Sequence, residues 1–294
     1  MNKKHYSHLY FPALLLFLCL CVYGAFAPFL GFYWDDLPYT YFEIAKGIQG
    51  TMKAIALDRP VLSIFYAFPM ALFGEKPLVW QVFGLFSRWL FTLSIFGFLQ
   101  SFWPKREKAN QAITILLLVF PGFTQQWISV IYSHAFLVLA LYFLSLTIFT
   151  NNLQKDKPCI IMTIYSILLG LICMAAMEYV IGLEFSRLVM VYLIQKRKSK
   201  HATFKDLVVD SFLLWLPYLA VLIIFIIYRI FFASSVLYSV QNMSGFLTSP
   251  ARTFLDIIGS QLSNVYTSII PVWGKIFSPF FSIDFTSTYG KIHL

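Results

Sequence analysis

Two adjacent carboxylates, Asp35 and Asp36, stand in the segment GFYWDDLPYT, just after the first long apolar run of the chain. Neighbouring carboxylates repel each other unless a cation or a basic group offsets their charge. Their chemistry suits a general base at the mouth of an outward cavity, with or without a divalent cation. The alternative is that one acid only caps a helix, and capping by Asp36 would leave Asp35 free for catalysis. Both are candidate catalytic residues.

An acid-base-proline element, Asp58-Arg59-Pro60, follows in the same half of the chain. The planar guanidinium of Arg59 matches the oxygens of a phosphate, and its position before a short apolar segment is where a lipid phosphate would lie. The alternative for Arg59 is anchoring to a lipid headgroup by snorkelling. A divalent cation held by Asp58 together with the paired acids is left open.

Three charged residues fall inside apolar runs. Arg88 either lines a cavity or forms an internal ion pair that fixes helix packing. Glu184 and Arg187 are spaced i,i+3 and are interpreted as a structural pair on one helix face.

The other candidates are polar or aromatic residues at turns on the same side, which could form an acceptor or sugar pocket: Trp34, Tyr39, Asp58, His134, Glu178 and Tyr179. The alternative for His134 is a hydrogen-bonded residue at a helix end. The alternative for the Trp and Tyr side chains is an interfacial belt. Arg229, near the end of its apolar run, could also meet a phosphate.

The elements that must position these residues are membrane-spanning. Of the 294 residues, 59% are hydrophobic and only 12% charged, whereas soluble domains carry about 25% charged residues. The formal net charge of +9 is concentrated in short basic clusters between apolar runs, PKREK and QKRKSKH among them. This distribution indicates cytoplasmic loops and argues against nucleic-acid binding.

About seven or eight apolar runs have spanning character. They are Leu9–Leu30, Leu78–Trp103, Asn110–Phe120, Ser133–Phe149, Cys159–Met177, Val180–Ile194, Leu207–Phe231 and, in the eight-span alternative, Asn264–Ile283. Residues 31–77 form an outer loop with a short interfacial helix, bracketed by Pro38 and Gly47, and the apolar segment Pro60–Phe73. We treat residues 1–294 as one transmembrane domain, in which residues 233–294 are an outer tail or a last span.

The basic clusters also fix the expected orientation. Lys3 and Lys4 precede the first run, so the N-terminus is expected in the cytoplasm, and the candidate residues face the periplasm or exterior of a bacterial inner membrane. The segment AFA at residues 25–27 resembles a signal-peptide cleavage site, but the apolar run continues past it, which favours an uncleaved first helix.

The order of these features resembles the GT-C membrane glycosyltransferases, including the protein O-mannosyltransferases and the lipid A aminoarabinose transferases. The matching residues are Trp34-Asp35-Asp36, Asp58-Arg59-Pro60, Phe73-Gly74 and Arg88, and the resemblance is best over Leu9–Lys108. Members usually have more spans and a C-terminal periplasmic domain. The chain is therefore expected to be a minimal form, a truncated form or one half of a split enzyme.

The resemblance implies an all-α polytopic bundle and an inverting transfer of a hexosyl or pentosyl group from a polyprenyl-phosphate sugar to a hydroxyl acceptor. Asp35 maps to the family's catalytic acid and Arg59 to its phosphate-binding base; a donor contact of Arg88 is looser. The sugar, the acceptor (a glycan, lipid or protein) and any metal stay open, and no cofactor is certain. Two alternatives remain: a transporter of a lipid-linked sugar, and a non-catalytic subunit of a split glycosyltransferase.

Overall fold

The computed structural model describes residues 3–123, 125–198, 203–231 and 248–274, and every regular element in these ranges is helical. This confirms the predicted all-α class. The chain divides into two compact units. The first comprises Met1–Val119 and Gln125–Val236, and the second Phe120–Thr124 and Leu237–Leu294. All candidate residues named above belong to the first unit.

The first unit begins with helix α1 (Lys3–Cys19), which continues through a π-helical turn, Leu20–Gly24, and a 3-10 turn, Ala27–Phe29. The carbonyl of Pro12 accepts a hydrogen bond of 3.0 Å from the indole N–H of Trp89, which ties α1 to a later helix. This apolar stretch leads directly to the turn that carries the paired acids.

Two helices form the loop that the sequence assigned to the outer side, α2 (Asp36–Ala56) and α3 (Pro60–Phe73). The predicted end of the first helix at Gly47 agrees with a break there, because the backbone of that residue is not helical and a second helical stretch, counted within α2, follows it. Gly47 has φ of 66°, a conformation that only glycine adopts at little cost, so the chain can kink there and continue. The bounds of α3 match the predicted segment, with Pro60 in its first turn.

Six further helices complete the described part of this unit: α4 (Pro77–Phe102), α5 (Glu107–Leu118), α6 (Ser129–Leu153), α7 (Ile160–Ala176), α8 (Ile181–Lys198) and α9 (Phe204–Phe231). Among the described residues, four stretches are long and apolar enough to cross a membrane: Tyr10–Phe29, Pro77–Phe102, Ser129–Leu153 and Phe204–Arg229. These stretches support an integral membrane protein. The other predicted spans of this unit correspond to α5, α7 and α8.

The second unit contains α10 (Pro250–Ile269) and the single turn α11 (Pro271–Gly274). The possible last span, Asn264–Ile283, lies only partly within the described residues, as does the predicted tail 233–294. The apolar side chains of α10 are exposed along its length, Leu255, Leu262 and Ile269 among them.

One end of the first unit is basic, and its cations cap helices. Arg197 donates to the carbonyl of Phe102 at 2.7 Å, and Lys198 donates to the carbonyl of Leu153 at 3.0 Å. A cation at the carboxyl end of a helix is favourable because the unpaired carbonyls there carry partial negative charge. The carboxyl ends of α4, α6 and α8 therefore lie together, and the amino ends of α4 and α6 lie at the opposite end. We call that opposite end the Asp35 end.

A buried charged group joins α6, α7 and α8 in the interior, and we call it the Arg187 network. Arg187 is fully buried and donates to Glu184 at 2.7 Å, to Ser166 Oγ at 3.1 Å and to Ser145 Oγ at 2.7 Å. The ring of Tyr218 lies 4.8 Å from the guanidinium carbon. The predicted Glu184–Arg187 pair is thus confirmed, with each nitrogen of the guanidinium hydrogen-bonded inside the protein.

Candidate active site

The turn that carries the paired acids is tightly held. The N–H of Asp36 donates to the carbonyl of Tyr33 at 2.9 Å, and the N–H of Leu37 donates to the carbonyl of Trp34 at 3.0 Å. Trp34 has φ of 47°, a left-handed conformation that is unusual for a residue other than glycine. The side chain of Asp35 is consequently exposed, whereas that of Asp36 is completely buried.

Asp36 caps a helix, but not its own. Its Oδ1 accepts a hydrogen bond of 3.1 Å from the N–H of Ile131, 95 residues along the chain, in the first turn of α6. Burial raises the pKa of Asp36 from 3.8 to about 6; the N–H groups of Ile131, Val130 and Ser129 act in the opposite direction, and Asp35 adds to the rise. The capping alternative therefore applies to Asp36, and Asp35, at the N-cap position of α2, makes no side-chain capping bond.

Three separate elements bring two arginines and two carboxylates together at this end, and we call this group the arginine–carboxylate cluster: Asp58, Arg59, Glu178 and Arg229. Arg59 Nη2 lies 3.1 Å from Glu178 Oε2 and its Nε lies 3.6 Å from Asp58 Oδ2. Arg229 Nη2 lies 2.7 Å from Asp58 Oδ1 and 2.5 Å from Glu178 Oε1. The formal charges of the cluster cancel.

The cluster is open to solvent. Between 13% and 26% of each side chain is exposed. Burial lowers the pKa of Arg59, but the carboxylates of Glu178 and Asp58 outweigh it, and the net shift is upward. Ion pairs that reach solvent contribute about 0–1 kcal/mol each. An incoming anion can therefore replace a carboxylate at either guanidinium with little loss of folding free energy.

Aromatic side chains connect the acids to this cluster. Tyr39 stacks on Tyr66 with ring centroids 4.8 Å apart, and Tyr66 meets the ring of His134 at 3.9 Å. The phenol of Tyr66 lies within electrostatic range of Asp35, Asp36 and Arg59. His134 is 1% exposed, and neither of its ring nitrogens has a hydrogen-bond partner among the residues that the structure describes.

The second predicted phosphate ligand, Arg88, belongs to a different group of side chains. It is 3% exposed and donates to Tyr23 Oη at 2.6 Å, to the carbonyl of Leu118 at 2.9 Å and to Gln126 Oε1 at 3.1 Å. Its guanidinium carbon also lies 3.7 Å from the centre of the Tyr23 ring. None of these partners is a member of the arginine–carboxylate cluster.

Three of the predicted site residues thus lie together in one group. The structure brings Asp58, Arg59 and Glu178 into one cluster, with Tyr179 next in the chain and 75% exposed. Tyr66 is a candidate that sequence reasoning missed, because a tyrosine in an apolar helix has the same pattern as an interfacial residue. Arg229 was considered only as a possible phosphate contact, and its pairing with Asp58 across 171 residues left no local signal.

In the described ranges, no three His, Cys, Asp or Glu side chains are grouped as they would be around a metal ion. The chemistry that the cluster offers is the exchange of a carboxylate for another anion beside an exposed acid, Asp35. No protein-family model, curated protein or solved structure matches the chain.

Proposed function

We propose that this protein is an inverting membrane glycosyltransferase that uses a polyprenyl-phosphate sugar. The observation that carries the proposal is the arginine–carboxylate cluster, which holds Arg59 and Arg229 at one end of a membrane-spanning unit. Its carboxylates are partly exposed and exchangeable, and an exposed acid, Asp35, lies at the same end. A phosphate at the membrane surface and a hydroxyl acceptor would meet these two groups.

The donor phosphate binds between Arg59 and Arg229 and displaces Glu178 from them. Two guanidinium groups suit this role, because their forked N–H groups pair with phosphate oxygens and keep their charge at any physiological pH. The lipid tail extends along the apolar helices. As the bond to the sugar breaks, the two arginines stabilise the negative charge that develops on the leaving phosphate.

Asp35 is the general base. Its carboxylate takes the proton of the acceptor hydroxyl while the acceptor oxygen forms a bond to the anomeric carbon. The bond between that carbon and the phosphate oxygen breaks, its electron pair stays on the phosphate, and configuration at the carbon inverts. Asp36 acts as a positioning residue, since its bond to the amino end of α6 fixes the turn that presents Asp35.

The fold proposed for this activity is the GT-C bundle, with α2 and α3 as the interfacial helices of the first outer loop and the Asp35 end facing the periplasm. The basic cluster at residues 195–201 supports this orientation. Arg88, which hydrogen-bonds to Tyr23 and Gln126, is assigned to packing in this scheme rather than to the donor.

The transporter alternative depended on Arg88, Glu184 and Arg187 as a gated pathway. These residues are hydrogen-bonded within two separate groups, one around Tyr23 and Gln126 and the other around Ser145 and Ser166. A gated pathway needs charged groups that can change partners, whereas these are enclosed. We therefore favour the transferase.

The test uses the purified protein in liposomes with a panel of polyprenyl-phosphate sugars and with glycan, peptide and lipid acceptors. Mass spectrometry follows both the lipid phosphate released and the glycosylated product. We expect wild type to release lipid phosphate, and Asp35→Asn to lose about 10²–10⁴-fold in rate, the usual contribution of a general base.

The matched control is Asp156→Asn, which removes an exposed carboxylate from the loop at the basic end. It should leave the rate unchanged. Full activity of Asp35→Asn would contradict the assigned base. Donor binding without release, by wild type and variant alike, would instead support a transporter or a non-catalytic subunit.

A further inference from the structure

Trp34 is the most exposed tryptophan described, with 69% of its surface open, and it immediately precedes Asp35. Its indole N–H has no hydrogen-bond acceptor among the residues that the structure describes. The ring of Trp127 lies perpendicular to it, at 85° and 6.3 Å between centroids. A large flat apolar surface with an unused donor is therefore held beside the candidate base.

The backbone of Trp34 is held in an unfavourable conformation to keep the ring there. A left-handed φ of 47° is costly for a residue with a Cβ, and the hydrogen bonds on both sides of the turn maintain it. Such strain persists where the surrounding structure imposes it, and it occurs preferentially at ligand-binding sites. A tryptophan that only anchored the protein in the membrane interface would need no particular backbone conformation.

We infer that Trp34 is the platform on which a pyranose ring of the acceptor stacks, so that the acceptor is a carbohydrate. This inference rests on the proposed function, because it assigns the acceptor class of the same site. The apolar C–H face of a pyranose covers an indole ring, while its hydroxyl groups reach the exposed carboxylate of Asp35. One hydroxyl then lies next to the base.

A peptide acceptor fits these surroundings less well. Extended peptides are usually held by a sheet edge, and the described ranges contain no strand. Trp34 is also followed in the chain by two acids, Asp35 and Asp36. These polar neighbours disfavour burial of the indole ring among lipid tails. A flat aromatic surface bordered by polar groups matches a sugar best.

The experiment is saturation-transfer difference NMR on the full chain in lipid nanodiscs. The probes are maltotriose, lactose and diacetylchitobiose, with mannitol as a polyol that has no ring. We expect saturation of the ring C–H protons of at least one probe, none for mannitol, and at least a five-fold loss in Trp34→Gly. Because glycine accepts the left-handed φ, this variant should unfold at the same temperature as wild type or at a higher one.

Trp103→Ala is the matched control, since it removes a tryptophan 36% exposed that follows α4 at the basic end. Saturation should be unchanged in it. Equal saturation in wild type and Trp34→Gly, or no saturation of any probe, would overturn the inference. A second result would also overturn the inference. The fluorescence of Trp34 is the difference between the fluorescence of wild type and that of Trp34→Phe, and strong quenching of it by brominated lipids would show that Trp34 is an interfacial anchor.

The inference and the proposed function fail in different ways. Sugar binding that depends on Trp34, with no lipid phosphate released from any donor, would support the platform and contradict the transferase. Transfer to a peptide or a lipid, with the KM for that acceptor unchanged in Trp34→Gly, would support the transferase and contradict the platform.

Discussion

Two groups of arginines and carboxylates lie in the same helical unit, and they differ in how completely they are closed. In the Arg187 network, the guanidinium and its carboxylate are at most 3% exposed, and each terminal nitrogen of the guanidinium donates a hydrogen bond to a serine hydroxyl. In the arginine–carboxylate cluster, Arg59 and Arg229 are each 24% exposed and share their two carboxylates.

This difference determines whether the partners of an arginine can be exchanged. A buried pair that loses one partner leaves an unpaired charge in a medium of low dielectric constant, so its partners cannot be exchanged. An ion pair that is exposed to water contributes little to the free energy of folding, and an anion from solution can compete with the carboxylate for the arginine. Exposure, rather than the presence of a buried arginine, therefore distinguishes the group that we propose as the donor site.

The largest expected effect is at the closed network. Arg187→Met leaves Glu184 buried without its ion-pair partner and should lower the free energy of unfolding by about 3–5 kcal/mol. The matched change in the open cluster, Arg59→Met, should cost less than about 1 kcal/mol. Unfolding in detergent, followed by circular dichroism, measures the free energy of unfolding of both variants. Equal decreases in the two variants would contradict the distinction between a closed network and an open cluster.

A smaller effect separates the paired acids. The folded pKa of Asp36 is raised from 3.8 to about 6, so its protonation favours the folded state. The resulting stabilisation, about 3 kcal/mol for a shift of this size, is complete below pH 4 and is lost as the pH rises through 6. Asp36→Asn keeps an oxygen for the N–H of Ile131 and cannot titrate.

The stability of wild type minus that of Asp36→Asn should therefore fall by about 3 kcal/mol between pH 4 and pH 7.5. Urea or thermal unfolding of wild type and Asp36→Asn at a series of pH values gives this difference. A difference that does not change with pH would mean that Asp36 is not the buried helix cap described.

The smallest expected effect concerns how closely the closed network is packed. A Cβ on Gly170 would lie 3.0 Å from Glu184 Oε1 and 3.3 Å from Arg187 Nη2. Gly170→Ala should cost about 1–3 kcal/mol, because neither charged group can move without losing a hydrogen bond. In Gly97→Ala, the new Cβ meets nothing within 4 Å, so a small gain is expected. If Gly170→Ala left the free energy of unfolding unchanged, the Arg187 network would be packed loosely enough to accept a methyl group.

The sequence predicted those parts of the molecule that depend on local pattern. The run Leu78–Trp103 corresponds to α4 (Pro77–Phe102), because hydropathy over about 20 residues marks a span. The Glu184–Arg187 pair followed from i,i+3 spacing. The break at Gly47 followed from the tendency of glycine to interrupt helices.

What the sequence could not give is which helices are neighbours. The bond from Ile131 to Asp36 joins residues 95 positions apart, and that from Arg229 to Asp58 joins residues 171 apart. No periodicity encodes such pairings, because each helix has several equally apolar faces. For the same reason the sequence does not show that Asp36 is buried and Asp35 exposed.

The most direct test of the open cluster as the donor site is the affinity of the full-length protein for polyprenyl phosphate, measured in nanodiscs for Arg59→Gln and Glu178→Gln beside wild type. Arg59→Gln removes a ligand of the phosphate and should weaken binding about 10-fold or more, as expected for a lost charge-assisted hydrogen bond. Glu178→Gln removes the competing carboxylate and should tighten it. Weaker binding of polyprenyl phosphate by Arg59→Gln together with tighter binding by Glu178→Gln would support the exchange of Glu178 for a lipid phosphate. Equal weakening by both, or no change in either, would contradict it.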